Sequence, residues 1–257
     1  MTNEQMLKIA MAQSAVDLGC SPEDFLRDEN VAVESVCHPD ARKYLKLPFF
    51  CELCSYGGNV VISGNKEVLP ALKAYADRAE GYRAFETPAM HVLEKTLMQY
   101  GQCVCFMAEY FLPDMRVFKV KECPYPIRVL EREDFKDLYT DTWHNALCAD
   151  RSHLDMLAVG AYDGDTLIGL AGVSADCDTM WQIGIDVLPS YRRQGIASAL
   201  TTRIAREVMD RGKVPFYCAA WSNVRSVRNA ISSGFRPCWV ELTSKPQAFV
   251  DEMNGEN

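Results

Sequence analysis

No segment of the chain gathers basic charge, and without such a tract neither a nucleic acid nor an anionic membrane is expected as a partner. Lys and Arg number 27 against 35 Asp and Glu, for a formal net charge of −8. No apolar run approaches the ~18 residues that a bilayer-spanning helix needs. Met1 to Cys20 carries Glu4 and Asp17 among its apolar residues and lacks a basic start followed by an apolar block, so no signal peptide is expected. The 11 cysteines are odd in number and scattered from Cys20 to Cys238, which fits no compact disulfide framework. The chain therefore reads as soluble, reduced and cytoplasmic.

What the sequence does have is apolar residues, 48% of 257, enough to bury a sizeable core. Met6, Ile9, Ala10 and Val16 recur near one face of a helix over residues 2–18, with Gly19 as its stop. Ser21 is a good cap for a second helix. Residues 49–55 and 59–63 read as strands joined through Tyr56-Gly57-Gly58. Helices are expected near 66–78 and 88–100, then a strand over 102–112. Cys123-Pro124-Tyr125-Pro126 punctuates the chain, and a domain boundary is placed there. This gives an α+β N-terminal domain over 1–123 and a second domain over 124–257.

The second domain opens with a strand at 127–130, followed by an acidic helix over 131–139 and a less regular stretch holding Trp143 and His144. Strands at 156–162 and 166–174 flank Asp163-Gly164-Asp165, a hairpin turn. A strand at 180–187 precedes a long helix at 196–211, a strand at 215–221, a helix at 224–232 and a strand at 235–242. Hairpins followed by a strand–helix–strand crossover predict a mixed α/β sheet.

The chemistry is concentrated in Asp186-Val187-Leu188-Pro189-Ser190-Tyr191-Arg192-Arg193-Gln194-Gly195-Ile196-Ala197. A strand ends at proline, and a short basic loop with one glycine opens a helix. Unpaired N–H groups at a helix start, together with the helix dipole, form an anion site. Gly195 permits close backbone approach, and Arg192 and Arg193 suit phosphate oxygens. These residues point to a phosphate or pyrophosphate.

Arg192-x-x-Gly195-x-Ala197 resembles the pyrophosphate loop of the GNAT (Gcn5-related N-acetyltransferase) superfamily, Q/R-x-x-G-x-G/A. Trp221-Ser222-Asn223-x-x-Ser226 and Gly234-Phe235 resemble that family's other cofactor motif, and element order agrees from Ile127 to Leu242. The resemblance implies a mixed, splayed central sheet and acetyl-CoA as cosubstrate. It implies pantetheine lying along the backbone of Ile185, Asp186 and Val187. Pyrophosphate would rest on N–H groups from Arg193 through Gln194, Gly195, Ile196 and Ala197 to Ser198, with Asn223 and Ser226 on the far side. It also implies direct transfer of acetyl to an amine. A small-molecule primary amine is the leading acceptor; a protein N-terminus or lysine, or a non-catalytic acyl-CoA sensor, are the rival readings.

Two departures stand out. The strand position where many relatives carry a Glu base belongs here to Trp181-Gln182-Ile183-Gly184-Ile185, with Asp186 the strand's only carboxylate, and the usual Tyr position holds Ala230. Asp186 and His144 are the replacement candidates for proton transfer, set against a solvated strand residue and an ordinary helix histidine. Asp176 and Asp178 read as turn residues, Trp181 and Trp221 as core or acceptor wall. Cys51-x-x-Cys54 and Cys103-x-Cys105 supply a zinc set only if their strands pair, and no metal is expected. Residues 1–123 are left with two readings, a degenerate acetyltransferase lobe over the acceptor side or a dimerisation module; a homodimer stays open.

Overall fold

The computed structural model describes residues 1–256. Helix α1 runs Asn3–Leu18 and ends where Gly19 takes φ 78°. Strands β1 (Val31–Glu34), β2 (Cys51–Ser55) and β3 (Val61–Gly64) follow, then helices α2 (Leu69–Arg78) and α3 (Thr87–Met98) and the long strand β4 (Gln102–Pro113). Next come β5 (Ile127–Leu130), α4 (Arg132–Phe135), β6 (Asp155–Asp163), β7 (Thr166–Ser174), β8 (Met180–Val187), α5 (Ile196–Asp210), β9 (Val214–Ala219), α6 (Val224–Ser232), β10 (Phe235–Pro246) and α7 (Gln247–Asn254). Among the described residues, no helix is long and apolar enough to cross a membrane.

The chain divides into two compact units. One holds Met1–Ile9 with Phe111–Pro237; the other holds Ala10–Tyr110 with the chain from Cys238 onward. This differs from a single cut near residue 124, because β4 and β10 each give residues to both units.

In the unit that contains Phe111–Pro237, the strand order is β10–β4–β9–β8–β7–β6–β5. The β6–β7 hairpin forms around Gly164 at φ 59°, with Asp163 opposite Thr166. Helix α5 lies on the sheet through Ile196, Leu200, Ile204 and Val208, packed against Val159, Ile168, Val173 and Ile183. That stripe has helical spacing, and it buries the face that alternate residues of β6, β7 and β8 present. The sheet includes the end of β4, with Phe111 fully buried in the same core. The expected helix over 131–139 is shortened to α4; residues up to 154 continue as 3-10 turns at Asp141–Trp143 and Ala149–Leu154. Phe135, Trp143, Ala146 and Leu147 pack there against Ala158 and Leu170, so side-chain burial rather than helical periodicity shapes the segment.

In the other unit the order is β1–β3–β2–β10–β4. β2 and β3 form the expected hairpin, Cys51 opposite Gly64, while the short β1 joins β3 in parallel. One face carries a buried charge cluster. The Arg42 guanidinium ion-pairs with Asp17, and with Glu241 at 2.6 Å. Trp239 Nε1 donates to Glu241 Oε1 at 2.8 Å. Register places Glu52 opposite Thr243, beside the Cys54–Glu241 pair, so Glu52 and Glu241 share a face. Glu52 is fully buried, and neither of its carboxyl oxygens has a hydrogen-bond partner among the described residues.

Two carboxylates thus share the one guanidinium, and Glu52 is buried beside them without a bond to it. Burial pushes the Glu52 carboxyl well above its usual range, the Glu241 charge adds to this, and Arg42 opposes it. Burial and the neighbouring carboxylate thus favour the protonated form of Glu52 in the fold. The folded state then keeps a proton that the unfolded chain releases above pH ~4.3, so stability falls as pH rises from there towards the folded pKa. The slope from this group is about −1.4 kcal/mol per pH unit. Glu52→Gln should raise the urea midpoint at pH 8 and flatten its decline between pH 5 and 8. An unchanged slope would mean that Glu52 is ionised in the fold.

Candidate active site

β8 and β9 run parallel but pair only at Met180–Val214, Trp181–Pro215 and Gln182–Phe216. Both strands continue beyond that point, β8 to Val187 and β9 to Ala219, with no further pairing between them. β8 stays paired on its other side, from Ser174–Gln182 to Gly169–Val187. Leu188 N donates to Ile168 O at 2.9 Å, which sets the alternation. Gln182, Gly184 and Asp186 direct their backbone groups at β7, while Ile183, Ile185 and Val187 direct theirs toward β9. Past Gln182 those groups border a gap. Arg192 Nε takes up the Val187 carbonyl at 3.0 Å.

The basic loop stands at the end of this gap. A 3-10 turn, Pro189–Tyr191, leads to Arg193 at φ 64° and to Gly195, the cap of α5, at φ 83°. Arg193 is the one non-glycine residue with positive φ among those described. That geometry costs a side chain-bearing residue ~1–2 kcal/mol, and nothing in the sequence marks it. The N–H groups of Ile196, Ala197 and Ser198 lie in the first turn of α5, where no intrahelical acceptor exists. A Cβ on Gly195 would meet nothing within 4 Å, so the loop is open on that side. Tyr125 OH donates to Gln194 Oε1 at 3.1 Å and Tyr191 OH to Asp163 Oδ2 at 2.9 Å, tethering the loop. The residues present suit a pyrophosphate: free N–H groups, a helix start, an open glycine and the Arg193 charge.

The opposite face of β8 carries the side chains of Gln182 and Asp186, with Gly184 between them. Gly184 pairs with Gly172 across β7–β8. A Cβ on Gly184 would collide with the Asn145 carbonyl oxygen, and one on Gly172 with that of Ala146. The backbone of 145–146 therefore lies directly on the sheet, where only glycines give it room. Asp186 Oδ2 fastens it there, accepting from Asn145 N and Ala146 N at 2.9 Å each, and Oδ1 accepts from Asn145 Nδ2 at 2.7 Å. His144 is exposed and placed by the same segment. Its Nδ1 lies 2.6 Å from the Asp141 carbonyl, which can only accept, so Nδ1 carries the proton. Nε2 then accepts from Asn145 Nδ2 at 3.0 Å. Asn145 links His144 to Asp186, two residues that the sequence offered only as separate candidates; no spacing signal marks Asn145.

On the helix side of β9, Tyr217 OH lies 2.8 Å from Ser226 Oγ. Asn223 caps α6, its Oδ1 accepting from Ser226 N at 3.2 Å. Burial raises the Tyr217 phenol above its ordinary value; hydrogen bonds with Ser226 and Asn229 oppose the shift, and the Cys218 and Asp186 charges reinforce it. The phenol keeps its proton at neutral pH. Ala230 is fully buried in the core beneath α6, and Gly234, at φ 82°, accommodates the backbone of Phe118. Trp181 is packed in the core under α5, whereas Trp221 is exposed. Asp176 is buried and paired with Arg151, unlike the solvated turn residue expected. β10 separates β2 from β4, so Cys51 and Cys54 do not sit on a strand paired with Cys103 and Cys105. Among the described residues no group of three or more His, Cys, Asp or Glu could hold a metal ion.

The profile of the Acetyltransferase (GNAT) family matches residues 123–235. A search of curated proteins gives no significant match. Among solved structures, the chain is similar to a GCN5-related N-acetyltransferase from Kribbella flavida, with 18% identity, a TM-score of 0.47 and coverage of 62% of this chain and 66% of that one. A GCN5-related N-acetyltransferase-like protein from Streptococcus suis gives 15% identity and a TM-score of 0.45, covering 62% of this chain and 69% of that one. An aminoglycoside N-acetyltransferase solved in complex with CoA gives 22% identity and a TM-score of 0.35, covering 47% of this chain and 93% of that one. With the mixed sheet and the family profile in agreement, residues 123–235 form a GNAT-family acetyltransferase domain.

Proposed function

We propose that the protein is an acetyl-CoA-dependent N-acetyltransferase that acts on a primary amine of a small molecule. The observation that carries this reading is the parting of β8 from β9 directly beside the open loop and the start of α5. Acetyl-CoA supplies a thioester whose acyl group passes to the amine as the CoA thiol leaves. The N–H groups of Ile196, Ala197 and Ser198, with Arg193 and Gly195, hold the pyrophosphate. The backbone of Ile185 and Val187 receives the pantetheine amides as a neighbouring strand would. Asn223 and Ser226 border the other side of that arm.

An alkyl ammonium ion has a pKa of ~10.4 and must lose a proton before it attacks. His144 Nε2 is the base in this reading, with Nδ1–H anchored to Asp141; the Asn145 Nδ2 hydrogen bond that holds its lone pair must give way before Nε2 takes the proton. Asp186 positions it: three donors occupy its carboxylate and fix the segment that bears His144. In this reading the Tyr217 phenol, hydrogen-bonded to Ser226, gives its proton to the leaving thiolate in place of the family's tyrosine. Residues 145–147 lie across Gly172 and Gly184, covering sheet that an extended peptide would need. This favours a small acceptor over a protein one.

Gly195→Glu should lower acetyl-CoA affinity roughly 100-fold by calorimetry, through lost charge-assisted contacts and like-charge repulsion, with the far-UV spectrum unchanged. Unaltered affinity would remove the loop from this reading. Tyr217→Phe should lower kcat ~10²–10⁴-fold with acetyl-CoA affinity retained. An unchanged kcat would assign the phenol to structure alone. If no amine in a broad panel of polyamines, aminoglycosides and simple alkylamines releases CoA, while acetyl-CoA binds, the enzyme reading gives way to an acyl-CoA sensor.

A further inference from the structure

Beyond β4 the chain turns back over Gly234 and runs beside the C-terminal end of α6. The approach is close: a Cβ on Gly234 would lie 2.9 Å from the Phe118 Cα. Lys121 N, donating to Thr202 Oγ1 at 3.0 Å, ties the segment to α5. Between segment and helix end lies a concavity of about 270 Å³ whose ionisable lining is Lys119, Lys121 and Arg236, with no acidic residue.

Three features mark this as more than a solvated basic patch. In a chain of net charge −8, none of the three cations forms an ion pair among the described residues, although nearby Arg116 is paired with Asp114. The end of α6 accounts for part of Arg236 only: its Nη1 donates to the Ile231 and Phe235 carbonyls at 3.4 and 2.9 Å, which leaves the rest of the fork and both lysines. The Ser233 hydroxyl, in the same lining, is buried without a hydrogen-bond partner among the described residues. Unpaired like charges around a concavity repel one another, and an anion relieves that repulsion. Val117 and Ile231, both exposed, add apolar surface to the same lining.

We propose that this concavity binds a phosphate monoester. The phosphoryl oxygens sit between the Lys119 and Lys121 ammonium groups and the free side of the Arg236 guanidinium. The organic part lies on Val117 and Ile231. This site is distinct from the loop at the start of α5. It lies at the C-terminal end of α6, and Asn223 caps the other end, about 13 Å away along the helix.

The test uses the full chain carrying Gly195→Glu, so that the α5 loop is blocked to anions, and calorimetry with AMP and with inorganic phosphate as probes. AMP should bind with one site per chain, and Lys119→Ala with Lys121→Ala should weaken it about tenfold per lysine. In the chain with Gly195 intact, the same two lysine substitutions should leave acetyl-CoA affinity unchanged, which also shows that the fold survives. Tighter binding of AMP than of phosphate locates the organic contacts, whereas equal affinity means a site for free phosphate with the same chemistry. No binding of either probe at millimolar concentration, or binding indifferent to the lysines, overturns the proposal. Because the readout is lysine dependence, it stands even if the α5 loop proves not to bind acetyl-CoA.

Discussion

The unit that holds Phe111–Pro237 depends on one interruption: the β8–β9 ladder stops after Gln182–Phe216 although both strands continue. A sheet interior normally satisfies every backbone group, and burying unpaired ones is costly. Here β8 stays paired with β7 from Gln182 to Val187, so past the break the backbone groups of Ile185 and Val187 are held in strand geometry and face the gap. A ligand carrying amides can complete the ladder without reorganising the protein. The strained loop at Arg193 and Gly195 stands at the same place and presents the first turn of α5. Strain at a non-glycine residue persists only where surrounding contacts impose it, and the Tyr125–Gln194 and Tyr191–Asp163 hydrogen bonds tether this loop.

The other face of β8 shows a second use of the same strand. Gly172 and Gly184 have no side chains, which lets the backbone of Asn145 and Ala146 descend onto the sheet, and Asp186 pays for its desolvation with three hydrogen bonds to that segment. Alternation along β8 thus separates two tasks. Even-numbered residues face the Asn145–Ala146 segment; odd-numbered residues turn their side chains into the core beneath α5 and their backbone groups to the gap.

Much of this was legible because local rules and tertiary structure agree. β7, β8 and α6 have the limits that alternation, the Pro189 stop and the Asn223 cap suggest. What escaped has long-range causes. β1 is four residues long and exists through its parallel partner β3, and α7 carries no cap signal at Pro246. The helix expected over 131–139 gives way because Phe135 and Trp143 are buried by β6 and β7 rather than by a helical face. The boundary near residue 124 follows real proline punctuation, yet β4, which precedes it, lies between β9 and β10 in the sheet. Asn145 was invisible because its role comes from lying opposite Asp186, forty-one residues away along the chain.

The central claim is that the unpaired edge of β8 receives the pantetheine arm while the first turn of α5 receives the pyrophosphate. Amide hydrogen exchange with and without acetyl-CoA tests it directly at residue resolution. The account predicts new protection at the Ile185 and Val187 amides together with Ile196, Ala197 and Ser198, and little change at Gln182 or Gly184, already bonded to β7. Protection confined to other parts of the chain, with the Ile185 and Val187 amides exchanging as before, would contradict it.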